Sequence, residues 1–136
     1  MAKKIKKSLL TVLLGLSICM AVASYGDNIA SGTLEYDDVY VYVNGSVTFM
    51  NGILWWPDKI WASVRMYGSD VDDIVFDYGT TYNASKNGTS YMSGTLYTAH
   101  LTDSISEVSC GTSGNSATLS LYNKYDKESR VLTATD

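Results

Sequence analysis

From Leu34 onward, apolar and polar residues alternate in short runs separated by Asn-Gly, Gly-Ser and charged clusters. Period-two alternation of β-branched and aromatic residues is the signature of β-strands. Val39, Val41 and Val43 alternate with Tyr40 and Tyr42; Asn44-Gly45 follows, then Ser46 to Met50, Asn51-Gly52, and Ile53 to Trp56. An Asn-Gly pair between apolar runs predicts a type I′ turn, because both central residues of that turn need positive φ. Two such pairs predict a three-strand meander over Tyr40 to Trp56 at the centre of the fold. With two-residue turns, Tyr40, Tyr42, Val47, Phe49, Leu54 and Trp56 share its apolar face. Val39, Val41, Val43, Ser46, Thr48, Met50, Ile53 and Trp55 fall on the other face, which is partly covered.

The remaining chain continues in the same style. Tyr25 to Thr33 is polar and aperiodic and reads as a lead-in. After Pro57-Asp58, Ile60 to Tyr67 alternates, with Ile60, Ala62, Val64 and Met66 inward and Trp61, Ser63, Arg65 and Tyr67 outward. Val71 to Tyr78 reads as a strand with Ile74, Phe76 and Tyr78 on one face. Gly79 to Ser93 contains a third Asn-Gly pair, Asn87-Gly88, and fits a short hairpin or a loop equally well. Strands follow over Thr95 to Leu101 (Tyr97, Ala99 and Leu101 inward; Leu96, Thr98 and His100 outward), Ile105 to Cys110, Ala117 to Asn123 (Leu119 and Leu121 inward) and Arg130 to Thr135. Eight or nine short strands with turns between them and no helical spacing predict an all-β fold, a single antiparallel β-sandwich or small barrel.

The N-terminus reads differently. Lys3, Lys4, Lys6 and Lys7 form a basic front, Leu9 to Met20 an apolar run, and Ala21-Val22-Ala23 a small-residue exit. These are the parts of a secretory signal peptide over residues 1–24, with one all-β domain over residues 25–136. Leu16-Ser17-Ile18-Cys19 looks like a lipoprotein box, which would acylate Cys19. That pattern wants a small residue where Ile18 stands, so release is the expectation and anchoring at Cys19 the alternative. Cleavage removes four of the 10 Lys and Arg and none of the 14 Asp and Glu, leaving six basic residues against 14 acidic ones, a net charge of −8. Such an acidic domain is a poor fit for nucleic acid or an anionic lipid surface. It also retains a single cysteine, Cys110, so its fold must rest on its core rather than on a disulfide.

Candidate chemistry is sparse. His100 and Cys110 make the one Cys-His pair that can be written. Asp70, Asp72, Asp73 and Asp77 cluster around one turn and suggest a calcium loop, although the glycine and distal glutamate of the helix-loop-helix calcium pattern are absent; a solvated acidic edge explains the same residues. No cofactor is expected. The chain has 11 Tyr and 3 Trp, and Trp61, Arg65 and Tyr67 stand at alternate positions that should form a row along one strand face. Flat side chains in a row suit sugar rings or a protein partner.

In class the chain is similar to small exported β-sandwich proteins of Gram-positive bacteria. These include bacteriocins of the lactococcin 972 type, with a cleaved signal, a short Tyr- and Ser-rich β domain and no disulfide; the local echo is Asn115-Ser116-Ala117-Thr118-Leu119. The resemblance implies a bacterial, extracellular, antagonistic protein. From the residues themselves the expectation is a secreted, non-enzymatic binding or effector protein acting on a cell-wall polysaccharide, an envelope component or a protein partner. The alternatives are a bacteriocin-like antagonist and a small hydrolase using carboxylates such as Asp72 or Asp77.

Overall fold

The computed structural model describes residues 28–74 and 78–136. The segment read as a signal peptide lies outside the described residues, as do Phe76 and Asp77. Eight strands run β1 (Ile29–Glu35), β2 (Tyr42–Met50), β3 (Lys59–Tyr67), β4 (Thr80–Lys86), β5 (Thr89–Leu96), β6 (Thr102–Ser109), β7 (Ser116–Asn123) and β8 (Glu128–Thr135), with one helical turn, α1 (Val71–Ile74), between β3 and β4. They form two four-stranded antiparallel sheets, β1-β2-β3-β6 and β5-β4-β7-β8. We call them sheet A and sheet B. The predicted all-β class and strand count therefore hold.

The two sheets face each other across one core, in a sandwich-like stack: β1 and β2 lie against β7 and β8, and β3 and β6 against β5. Alternation explains why. Val43, Val47 and Phe49 of β2 and Ile60, Ala62, Val64 and Met66 of β3 are buried on the inner side of sheet A. Ala84, Met92, Leu96, Leu119, Leu121, Leu132 and Ala134 are buried opposite them on sheet B. Burying a Val, Leu or Phe side chain contributes roughly 1.5–3 kcal/mol, so this apolar layer is the main stabilising term. Polar contacts also join the two layers, among them a 2.9 Å bond from the Arg130 guanidinium on β8 to the Thr33 carbonyl on β1. The Tyr36 hydroxyl meets the Thr80 hydroxyl at 2.7 Å in a buried site, Tyr82 donates to Asp103, and Lys86 pairs with Asp58 at 2.6 Å.

The β3 pattern is as read from the sequence, and so are the inward Leu119 and Leu121 of β7. Asn87-Gly88 resolves as a hairpin turn between β4 and β5, with φ of 51° and 81° at its two residues, the conformation a type I′ turn requires. The central meander is not present. Asn44 and Gly45 lie inside β2, paired with Thr33 and Gly32 on one side and with Arg65 and Val64 on the other. A side chain at Gly45 would meet Leu119, Leu121 and Leu132 of sheet B at 3.0–3.2 Å. The glycine therefore serves a close approach of the two sheets, the other established use of glycine within a strand. With no turn there, Val43, Val47 and Phe49 share the inner face and Tyr42 faces outward, which replaces the predicted register.

Four further readings are corrected. The supposed lead-in contains most of β1, whose buried Ala30 and Leu34 alternate with polar residues. Asn51-Gly52 opens a long loop instead of a hairpin, and Ile53 to Trp56 form no strand. Leu54 and Trp56, placed in the core by the predicted register, are 82% and 67% exposed, and Tyr40 is also exposed. Val71 to Ile74 is the helical turn α1 rather than strand, started by Asp70, whose carbonyl accepts the N–H of Asp73 and of Ile74. Finally, β5 ends at Leu96, which is buried, while Tyr97, Ala99 and His100 are exposed. Tyr97 and His100 exchange backbone hydrogen bonds of 2.7 and 3.0 Å across a tight turn, so this segment was one strand end and one turn.

Candidate functional site

The outer face of sheet A is built by the same alternation that fills the core. Reading across β1, β2, β3 and β6, the register aligns Ser31, Ser46, Ser63 and Ser104 in one transverse row. The next row is Thr33, Asn44, Arg65 and Thr102, and beyond it Glu35, Tyr42 and Tyr67 align. On the other side of the serine row stand Ile29, Thr48 and Trp61. Neighbouring strands lie ~4.8 Å apart and successive outward positions ~6.8 Å apart along a strand. The result is a regular lattice of short hydroxyl side chains. Because serines are small, they leave a shallow open hollow of about 780 Å³ over Ser31, Thr33, Ser46, Ser63, Arg65 and Ser104.

Aromatic residues stand at both ends of the hollow. The Tyr42 and Tyr67 rings stack at 5.4 Å between centroids, 25° apart, and the Arg65 guanidinium lies 5.8 Å from the Tyr67 ring centre. The stack is fixed by Asn44, whose Oδ1 accepts a 2.7 Å hydrogen bond from Thr33 and a 3.4 Å one from Tyr67. The Tyr42 hydroxyl is held above the usual phenol range by partial burial first and then by Glu35 and neighbouring tyrosines, so it stays a neutral donor. At the other end, Trp61 is partly exposed and borders a second cleft, of about 600 Å³, shared with Met50, Ile53, Trp56, Lys59 and Glu107. Opposite Trp61 the ladder to β6 slips by one residue, and Glu107 adopts φ of 52°. A bulge next to a binding feature re-aims side chains at the strand edge.

The structure thus keeps the predicted row Trp61, Arg65 and Tyr67 on the outward face of β3, but it divides the row. Arg65 and Tyr67 belong to one end of the hollow and Trp61 to the other, with Ser63 between. Sequence reasoning missed the serine row and the Tyr42 contribution. The usable signal was Ser31-x-Thr33, Ser46-x-Thr48 and Ser104-x-Ser106, where hydroxyls recur at every second position of three different strands.

The other candidates are not brought to this face. Asp70 accepts the Tyr40 N–H at 2.9 Å, while Asp72 and Asp73 are exposed on α1. Among the described residues no three His, Cys, Asp or Glu side chains converge as a metal site, and Asp77 lies outside them. His100 sits beside Tyr97 at the start of β6 and Cys110 just past its end, so the whole eight-residue strand, ~26 Å of chain, separates them. Burial pushes the Cys110 thiol up, which makes it an inert core group.

The hollow offers hydroxyls that both donate and accept, one amide, one guanidinium and one carboxylate, Asp103, which accepts from the Tyr82 hydroxyl and the Ser104 N–H; flat rings stand at its ends. Such groups are chemically suited to holding a polyol. Among the described residues no helix is long and apolar enough to cross a membrane. No protein-family model matches the chain, and neither a curated protein nor a solved structure matches it.

Proposed function

We propose that this chain is an exported, single β-sandwich protein that binds an elongated, hydroxyl-rich ligand, such as a cell-wall polysaccharide, along the outer face of sheet A. The basic front Lys3 to Lys7 and the apolar run Leu9 to Met20 supply the export address. The observation that carries the binding reading is the row Ser31, Ser46, Ser63 and Ser104 held between Trp61 and the Tyr42–Tyr67 stack. A polyol exchanges hydrogen bonds with hydroxyls of either polarity, and sugar rings stack on flat side chains. Arg65 adds one fixed positive charge at the tyrosine end and Asp103 a carboxylate in the same lining, so a neutral polyol meets hydrogen-bonding groups of both kinds there.

Association with insoluble wall material tests this reading. Trp61→Ala is expected to weaken it by about 1–3 kcal/mol, the range of an aromatic anchor, while leaving the unfolding midpoint close to that of the parent. Ser63→Tyr, which fills the middle of the hollow, is expected to abolish it. Undiminished association in both variants would remove the face from consideration. An antagonist of other cells is the second reading, and the exposed apolar loop between β2 and β3 favours it.

A further inference from the structure

The loop from Asn51 to Pro57 leaves sheet A at the end of β2 and carries Ile53, Leu54, Trp55 and Trp56 in succession, 72%, 82%, 78% and 67% exposed. Scattered apolar residues on a surface are ordinary, but four large ones in a row on a protrusion are not. Leu54 also sits at φ of 60°, a left-handed conformation that glycine or asparagine adopts at far lower cost. The turn thus holds a large aliphatic side chain outward where its backbone favours a small residue.

The base of the loop is rigid. The Gly52 N–H donates to Asp58 at 2.7 Å and the Asn51 N–H to Asp136 at 2.8 Å. Asp58 is itself buried against Lys86 and closes backbone bonds with Cys110 and Gly111. Within the turn, the Trp56 N–H meets the Ile53 carbonyl at 3.1 Å, and Pro57 has no N–H. Residues 51–57 include no charged side chain.

We infer that this loop inserts into the interfacial region of a lipid bilayer and docks the domain on a membrane surface, tip first. Three features select lipid over a protein partner or a second copy. The four side chains present roughly 600 Å² of convex apolar area, judged from the 150–250 Å² of a large aromatic, short of the ~800 Å² per partner of a stable protein interface. Tryptophan beside aliphatic residues is the composition that settles at the headgroup level, a depth where the backbone of the tip still meets water. The charges are also segregated. Asp37, Asp38, Asp70, Asp72 and Asp73 lie at the opposite ends of β2 and β3, ~30 Å away for a nine-residue strand. Asp126 and Glu128 stand beside them at the β7–β8 connection, where Lys124 and Lys127 leave seven acids against two basic residues. Tip-down docking keeps these acids clear of lipid headgroups. The expected surface is zwitterionic, since nothing at the tip attracts anionic lipid beyond Lys59, which Glu107 and Asp136 offset.

The test is partition of the full chain onto phosphatidylcholine vesicles, followed by tryptophan fluorescence and by quenching with bromine-labelled acyl chains. All three tryptophans of the chain are Trp55, Trp56 and Trp61, so the indole signal reports the loop and not the apolar run Leu9 to Met20. The expected result is a blue shift, strong quenching, and at least a tenfold loss of the quenched fraction in Ile53→Ser/Leu54→Ser, which keeps all three indoles as reporters. Replacing part of the phosphatidylcholine with phosphatidylglycerol is expected to leave partition unchanged or weaken it. Indoles that stay unquenched in vesicle-bound wild-type protein would overturn the inference whatever the variant does. So would a concentration-dependent dimer abolished by the same substitutions, which would assign the loop to a second copy.

Discussion

The two ends of the sandwich are made from the same strands and yet meet water in opposite ways. At one end, Ile53 to Trp56 project on a neutral loop whose base is held by two carboxylates, the buried and paired Asp58 and the C-terminal Asp136. At the other, the β1–β2 and β7–β8 turns and α1 bring together seven acids, of which Asp70 and Asp126 accept backbone hydrogen bonds. Asp126 takes the Asp37 N–H and an Asn123 amide proton at 2.8 Å each. Strand alternation fixed the core and both outer faces, whereas loop composition alone decided what each end can touch. A protein with one apolar and one acidic end has a built-in direction.

The contrast between the ends depends most on the base of the loop. Lys86 and Asp58 are almost fully buried, and Lys86 also donates to the Cys110 carbonyl at 2.8 Å and lies 5.5 Å from the Phe49 ring centre. Removing one member of a buried pair strands the other charge, at a cost of about 3–5 kcal/mol. Lys86→Ala is therefore expected to lower stability by that much in urea unfolding, with amide exchange accelerating first around Asp58 and Gly52. A variant that loses stability while residues 51–58 stay protected would show that the pair does not anchor the loop.

The two ends also respond to pH with opposite sign. For Asp58, burial alone pushes the carboxyl up, but the Lys86 hydrogen bond, the Gly52 N–H and the Lys86 charge together outweigh it and hold it below the usual value. A depressed carboxyl stabilises the fold above its unfolded value, and this contribution is lost as pH falls through the folded one. Glu128 is raised instead, by partial burial and then by the charges of Asp37 and Asp126, so acid relieves the far end while it loosens the loop base. In alkali the order reverses. Burial first, opposed by the Thr80 hydrogen bond and helped by the Asp126 charge, lifts Tyr36 from 10.0 to about 12. Its stabilisation is complete below the unfolded value and disappears as pH rises through the folded one, a loss of about 3 kcal/mol. Unfolding free energy measured from pH 9 to 12 is expected to fall over that window in the parent, and less steeply in Tyr36→Phe.

Much of the fold was legible because β3 and β7 alternate without interruption, and parity alone placed Ile60 to Met66 and Leu119 to Leu121. The errors share a cause. Asn-Gly reads as a turn whenever only local backbone preference is weighed, and at Asn87-Gly88 that preference decides. At Asn44-Gly45 the deciding contact is Leu119, Leu121 and Leu132 arriving from 74 or more residues away, which no local pattern reports. The outer row Trp61, Arg65 and Tyr67 was readable from β3, but the serines that complete the face come from three other strands, and only the register aligns them. The Asn51-Gly52 pair predicts a turn and a third strand, whose register puts Leu54 and Trp56 on the core face and Ile53 and Trp55 on the partly covered one. The exposure of Ile53 to Trp56 is visible only once the strands on both sides are full without them.

The smallest expected effect is the sharpest test of that last point. If Ile53, Leu54, Trp55 and Trp56 contributed to the core, changing all four to serine would cost several kcal/mol, since a single buried leucine or tryptophan truncation costs 2–5. At exposures of 67–82% they have little contact to lose, and surface changes of this kind stay within ~0.5 kcal/mol. The quadruple serine variant is therefore expected to unfold at nearly the same urea concentration as the parent and with the same cooperativity. It is also expected to be more soluble, because the apolar patch that invites self-association is gone. A drop in stability comparable to Lys86→Ala would mean that the loop packs on the domain in solution, closing the cleft beside Trp61, and the contrast between the two ends would then be one of the closed and open forms of a single loop.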